Sequence, residues 1–148
     1  MSRPLIAIDI DDNSLANAKE NVEFHKLGKI IEVRKSDLFE NIKPGEKFDL
    51  IISQLPFADV NYKCEVGHFL FDADFKLHER LLKDAKKNHL TTNGKIFIPS
   101  GDVANEKRLI ELIHRYNYDI LSVDEDVFQN LKWKLYTLKP KINKSART

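Results

Sequence analysis

The chain holds a single cysteine, Cys64, in 148 residues, so no disulfide can close within it. Such sparing use of cysteine fits a reducing compartment, and the expected location is cytoplasmic. No stretch approaches the ~20 apolar residues that cross a bilayer. The opening, Met1 to Asp9, has too short an apolar run for a secretion signal. Neither sign of charge is in excess, with 24 Lys and Arg against 23 Asp and Glu. That balance disfavours a dedicated nucleic-acid binder or a polybasic membrane protein. There are five glycines and no Gly-x-Gly anywhere. The five histidines show no metal-ligand spacing, and Cys64 with His68 supplies only two ligands, so no metal is expected. There is no internal repeat and no low-complexity segment.

What is present reads as alternating strands and helices. Leu5 to Asp9 is a first buried strand ending in an acid. Asp11 can cap a following helix whose stripe is Leu15, Ala18 and Val22, with Gly28 as its C′ residue. Lys29 to Arg34 is a second strand leading into Ser36-Asp37-Leu38-Phe39, and Pro44-Gly45 is a turn. Phe48 to Ser53 is a third, buried strand. Residues 58–72 carry no clean period and read as a long loop. Asp72 or Asp74 can cap a helix through Leu77, Leu81, Leu82 and Ala85, with Asp74 and His78 as a surface i, i+4 pair. Asn93-Gly94 is a turn, and Lys95 to Ile98 is a strand stopped by Pro99. Leu109, Leu112, Ile113 and Tyr116 mark another helix. Asp119 to Val123 and Lys132 to Leu138 have no helix between them and should pair antiparallel. Trp133 reads as a packed strand residue. Residues 1–138 form one α/β domain in this reading, and 139–148 are a basic tail expected to be disordered.

The most informative segment is the exit of the third strand, Ser53-Gln54-Leu55-Pro56-Phe57. Open α/β sheets bind ligands just beyond the carboxyl ends of their strands. An apolar run that breaks into a polar residue, a proline and an aromatic at that place is a candidate site.

The order of segments resembles the class I S-adenosylmethionine-dependent methyltransferases, in particular the small domain of release-factor glutamine and rRNA N-methyltransferases. The likeness rests on Ile8-Asp9-Ile10-Asp11, Ala18-Lys19-Glu20-Asn21, Ser36-Asp37-Leu38-Phe39, Phe48 to Phe57, Phe71 to Phe75 and Asn93-Gly94-Lys95-Ile96. It implies a Rossmann-like sheet of six strands, mostly parallel with an antiparallel C-terminal strand and helices on both faces. It also implies S-adenosylmethionine as cofactor. Asp9 would accept the ribose hydroxyls and Ile10 would pack on adenine. Asp37 would accept the adenine amino group, and the Leu38 amide would read the ring. Gln54, Leu55, Pro56 and Phe57 stand where the family has Asn/Asp-Pro-Pro-Tyr/Phe. That loop holds a planar amide or amine nitrogen toward the methyl, which is catalysis by positioning. The acceptor would be a protein, an RNA or a small molecule.

Two departures from the pattern follow. Gln54 replaces the shorter Asn or Asp, and Leu55 replaces the first proline. The family's first strand and glycine-rich turn would lie before residue 5, leaving the strands at 5–9 and 48–53 either to pair directly or to receive a strand from a second chain. A partner-binding remnant without chemistry is therefore an alternative. A second is a haloacid-dehalogenase-type phosphatase, with Asp9 as nucleophile, Asp11 as acid/base, and Ser53, Asp124 and Asp126 as phosphate and magnesium ligands. Against it, Asn13 stands where that family has threonine or valine. Glu65, in the loop after Phe57, is a further candidate for facing substrate.

Overall fold

We describe residues 5–57 and 72–141 of a computed structural model of the chain. Cys64, Glu65 and His68 lie outside the described residues, as do 142–148 of the expected tail. The chain divides into two compact units between Glu46 and Lys47.

In the first unit, β1 (Leu5–Asp9) and β2 (Ile31–Lys35) pair in parallel, with Leu5 opposite Ile31 and Asp9 opposite Lys35. The connecting helix α1 (Asp12–Phe24) begins as the sequence predicts: the Asp11 carboxylate accepts the Ser14 amide at 2.8 Å. Leu15 is buried on its inner side, while Ala18 and Val22 are half-buried. Its end differs from expectation. Lys26, not Gly28, takes the left-handed conformation, with φ 56°. The Lys26 amide donates to the Glu23 carbonyl and the Leu27 amide to that of Val22, a Schellman closure. The Ile30 and Ile31 amides both turn back to the Leu27 carbonyl, so β2 starts at Ile31, two residues after the expected start at Lys29.

The second unit is a four-stranded sheet in the order β3-β4-β6-β5, made of β3 (Phe48–Ile52), β4 (Leu90–Gly101), β5 (Tyr118–Phe128) and β6 (Leu131–Pro140). β3 and β4 are parallel; β6 runs antiparallel to both β4 and β5. The final pair is thus antiparallel, as the missing crossover helix requires. Asn93-Gly94 lies inside β4, where the register with β3 breaks between Phe48 and Leu50. Pro99 does not stop β4, which continues to Gly101 opposite Trp133. Phe97 accepts the Ser53 amide, so by alternation Pro99 turns its donor-less nitrogen to the same side, beyond the end of β3. β6 extends through Lys139 and Pro140, which the sequence reading assigns to the tail.

Helices α2 (Lys76–Asp84) and α3 (Glu106–Arg115) lie side by side, tied by Tyr116 to Glu79 at 2.5 Å and Arg108 to Asp74 at 2.7 Å. The helix cap is Asp72, reaching across a 3-10 turn (Ala73–Phe75) to the Leu77 and His78 amides. Asp74 does not pair with His78. The His78 ring is fully buried, with Nδ1 2.8 Å from Asp72 Oδ2. Burial opposes ionisation of Asp72, but the hydrogen bonds from the His78 ring and the two amides outweigh it and hold the carboxyl below its usual value.

One expectation fails in both units. The apolar runs of β1 and β3 are not buried: Leu5 is 57 %, Leu50 44 % and Ile52 70 % exposed. The ladders are β1–β2 in the first unit and β3–β4–β6–β5 in the second. An apolar run shows what a strand is able to bury; what covers it is set elsewhere in the fold.

Candidate functional site

The parallel pairing of β1 and β2 brings two predicted ligand positions to the same end of the first unit. Asp9 ends β1, and the Ser36 amide beyond β2 donates to the Asp9 carbonyl at 2.9 Å. Asp9 Oδ1 accepts the Asp11 amide at 2.9 Å, while Oδ2 accepts nothing among the described residues. Ile10 is 59 % exposed beside it. Asp37 and Leu38 follow β2, both half-buried, and Leu38 is held at φ 49°. A leucine in that region is strained, and something must fix it. Ser36 does so: its buried hydroxyl donates to the Leu38 carbonyl at 2.8 Å and accepts the Asn41 amide at 3.0 Å. Asn41 in turn donates to the Lys35 carbonyl at 2.9 Å. Ser36 is a positioning residue that sequence reasoning passed over, although it opens the Ser-Asp-Leu-Phe motif.

In the second unit, the Ser53 amide and hydroxyl both donate to the Phe97 carbonyl at 3.0 Å, locking the end of β3. The chain then leaves the sheet as Gln54-Leu55-Pro56-Phe57. Gln54 is exposed, and its amide makes no hydrogen bond among the described residues; Pro56 and Phe57 are half-buried. The Phe57 ring meets Trp133 edge-on, with centroids 5.7 Å apart. It lies over Gly101, where a Cβ would come within 3.4 Å of the ring and 3.1 Å of the Lys132 carbonyl. Trp133 and Gly101 are strand partners, so the missing side chain at 101 makes the seat that Trp133 walls. Gly101 reads from sequence as an isolated turn glycine; only the β4–β6 register reveals its role.

The phosphatase arrangement is not formed. The Asp11 carboxylate is a helix cap, and α1 starts at Asp12 with no room for a flap. The Ser53 hydroxyl is spent on a carbonyl, and Asp124 and Asp126 lie inside β5 instead of following a strand. No group of His, Cys, Asp and Glu suited to a metal occurs among the described residues.

For S-adenosylmethionine, the first unit fits the adenosine half. It offers an acid with an open acceptor oxygen, an exposed apolar neighbour and a rigid loop at the next strand end. No glycine-rich turn for the methionine half occurs in the sequence.

A family model for tRNA (adenine(22)-N(1))-methyltransferase, TrmK, matches residues 1–53. The ribosomal protein uL3 glutamine methyltransferase of Francisella tularensis is 32% identical over 105 residues, covering 64% of this chain and 33% of that protein. The release factor glutamine methyltransferase of Lactococcus lactis is 26% identical over 132 residues, covering 82% of this chain and 47% of that protein. The crystal structure of the B. subtilis M1A22 tRNA methyltransferase TrmK superposes with a TM-score of 0.67 at 20% identity, over 93% of this chain and 50% of that one. The chain thus spans a third to a half of the length of these proteins. No helix among the described residues is long and apolar enough to cross a membrane. In sequence the chain is similar to class I S-adenosylmethionine-dependent methyltransferases, and it has the fold of their Rossmann-like domain.

Proposed function

We propose that the chain transfers a methyl group from S-adenosylmethionine to a planar amide or amine nitrogen. The observation that carries this reading is the exit of β3. An exposed Gln54 amide and a half-buried Phe57, seated on Trp133 and Gly101, follow a strand end that Ser53 locks. The named relatives act on a glutamine side chain or an adenine nitrogen, which are both planar nitrogen acceptors.

In this reading Asp9 Oδ2 accepts from the ribose, Ile10 covers one face of adenine, and Asp37 with the Leu38 amide reads the ring edge. Bound S-adenosylmethionine supplies an electrophilic methyl on a positively charged sulfur. The protein's part is to aim the nitrogen. Gln54 Oε1 accepts one N–H of the acceptor, Phe57 stacks on its plane, and Pro56 fixes the backbone between them. Together they fix the plane of the nitrogen that accepts the methyl. Gln54 has one more rotatable bond than Asn or Asp, so the seat of Phe57 carries more of the orientation here.

Calorimetric titration with S-adenosylhomocysteine tests the cofactor half. Saturable binding that Asp9→Ala abolishes, with unchanged circular dichroism, is the expected result. Unchanged binding by that variant would overturn the assignment of Asp9. A second reading is a fold that binds a partner without chemistry, consistent with the exposed apolar strands β1 and β3. A folded chain with no affinity for S-adenosylhomocysteine would select it.

A further inference from the structure

The hairpin of β5 and β6 turns at Gln129-Asn130, both left-handed with φ 51° and 63°. Beyond Gly101 no third strand pairs with it among the described residues, and its register sorts its side chains into two unlike faces. Opposed pairs share a face. One face carries Glu125 with Lys134, Val127 with Lys132, and Val123 with Tyr136. On it Lys134 is paired with Glu106 at 2.6 Å and with Glu125 at 3.3 Å. The other face carries Asp124 with Leu135, Asp126 with Trp133, and Phe128 with Leu131. This is the face on which Phe57 rests, because Phe57 packs against Trp133.

Phe128 is 63 % exposed, Leu131 45 % and Trp133 39 %, a run of large apolar groups leading away from Phe57. Asp124 and Asp126 are exposed beside them. Asp124 has only the Ser122 hydroxyl at 3.4 Å, and Asp126 only the adjacent Val127 amide at 2.8 Å. Neither meets a cation among the described residues. Aromatic and apolar groups flanked by unpaired carboxylates repel a phosphate backbone and attract a cationic, partly apolar chain.

We propose that the methyl acceptor is presented by a polypeptide, and that a segment bearing apolar side chains with lysine or arginine docks on this hairpin face beside Phe57. The inference rests on the reading of Gln54 to Phe57 as the acceptor loop, and it adds the substrate class that this loop serves. The hairpin holds the flanking residues of the segment, and Phe57 takes the planar group.

Trp133 is the only tryptophan, so its fluorescence reports on this face directly. The test titrates the full chain with a peptide of alternating lysine and leucine around one glutamine, and in parallel with an oligouridylate of equal length. A saturable change with the peptide and none with the oligouridylate is expected. In an Asp124→Lys/Asp126→Lys variant, peptide affinity should fall about tenfold or more, since two rim attractions become repulsions. A response to the oligouridylate alone, no response to the peptide, or equal peptide affinity in the variant would each overturn the proposal. S-adenosylhomocysteine titration of the same sample separates the two readings. Cofactor binding without a peptide response defeats only the docking face. A peptide response without cofactor binding defeats the methyltransferase reading.

Discussion

The two units start from the same material and end differently. Each has a five-residue parallel strand of mostly apolar residues, β1 in the first and β3 in the second. Yet the buried apolar residues of the first unit are only Leu15 and Ile42 among those described. The second buries Phe75, Leu82, Ile96, Ile98, Leu109, Ile113, Tyr118, Tyr136 and Leu138 to 1% exposure or less. In place of a core, the first unit has a polar knot. Arg34 holds Glu32 and Glu46 at 2.8 Å and reaches the Asn41 carbonyl at 3.1 Å. Strand composition is therefore not what decides burial. β1 and β3 are both left largely exposed; the second unit's core is built instead from β4, β6 and the two α-helices described there, whereas one α-helix is described in the first unit.

The largest expected effects lie in the second unit. Leu82→Ala removes a fully buried side chain and should cost about 3–5 kcal/mol, whereas Leu15→Ala should cost about 2 kcal/mol because solvent reaches its site. Urea unfolding of both variants checks this, and equal losses would break the comparison. Asp72→Ala should cost about 3 kcal/mol, since it strips the Leu77 and His78 amides and His78 Nδ1 of their acceptor. His78 Nε2 has no partner among the described residues, so none of these offers the ring a substitute. The Asp72 carboxyl is held below its usual value. Its stabilisation is thus complete above the ordinary aspartate range and is lost as pH falls through the lowered value. The expected signature is a gap in melting temperature between variant and wild type that is full at pH 7 and narrows as pH falls below the ordinary aspartate range.

Glycines sharpen the same contrast at smaller scale. A Cβ at Gly94 would lie 2.9 Å from the Phe48 carbonyl oxygen and 3.1 Å from the Thr91 nitrogen. Neither backbone atom can swing away, so Gly94→Ala should cost about 1–3 kcal/mol. At Gly28 nothing lies within 4 Å and φ is not left-handed, so Gly28→Ala should be neutral or stabilise by up to about 1 kcal/mol. Thermal midpoints of the two variants should move in opposite directions.

Most of the element order was legible because hydrophobic period and caps agree locally: Asp11 before α1, the Leu109–Ile113 stripe of α3, the paired last strands. The hairpin's true length was not. Asp-Glu-Asp at 124–126 has low strand propensity, and only pairing with Leu135 to Trp133 makes it strand. The sequence also offered Asp74 to His78 at helical spacing, yet the ring sits on Asp72, because a left-handed Asp74 and Phe75 turn the chain before α2 begins. The loop Gln54 to Phe57 was visible as a motif. Its seat was not, since Gly101 and Trp133 meet it only through the β4–β6 register.

The smallest expected effect tests whether the first unit really depends on its polar knot. Arg34→Ala should leave the urea midpoint of the second unit unchanged while raising amide exchange in residues 37–46. Glu46 supplies the pH signature. The Arg34 side-chain hydrogen bond, then that of the Lys43 amide, lowers its carboxyl from 4.5 to about 2. A carboxyl depressed on folding stabilises above its unfolded value and loses that contribution as pH falls. Protection of 37–46 in the wild type should therefore decline between pH 4.5 and about 2. The step should shrink in Arg34→Ala, where only the Lys43 amide still favours the charged form. An identical acid step in both proteins would assign the order of this segment to Ser36 and Ile42, and the polar knot would cease to distinguish the two units.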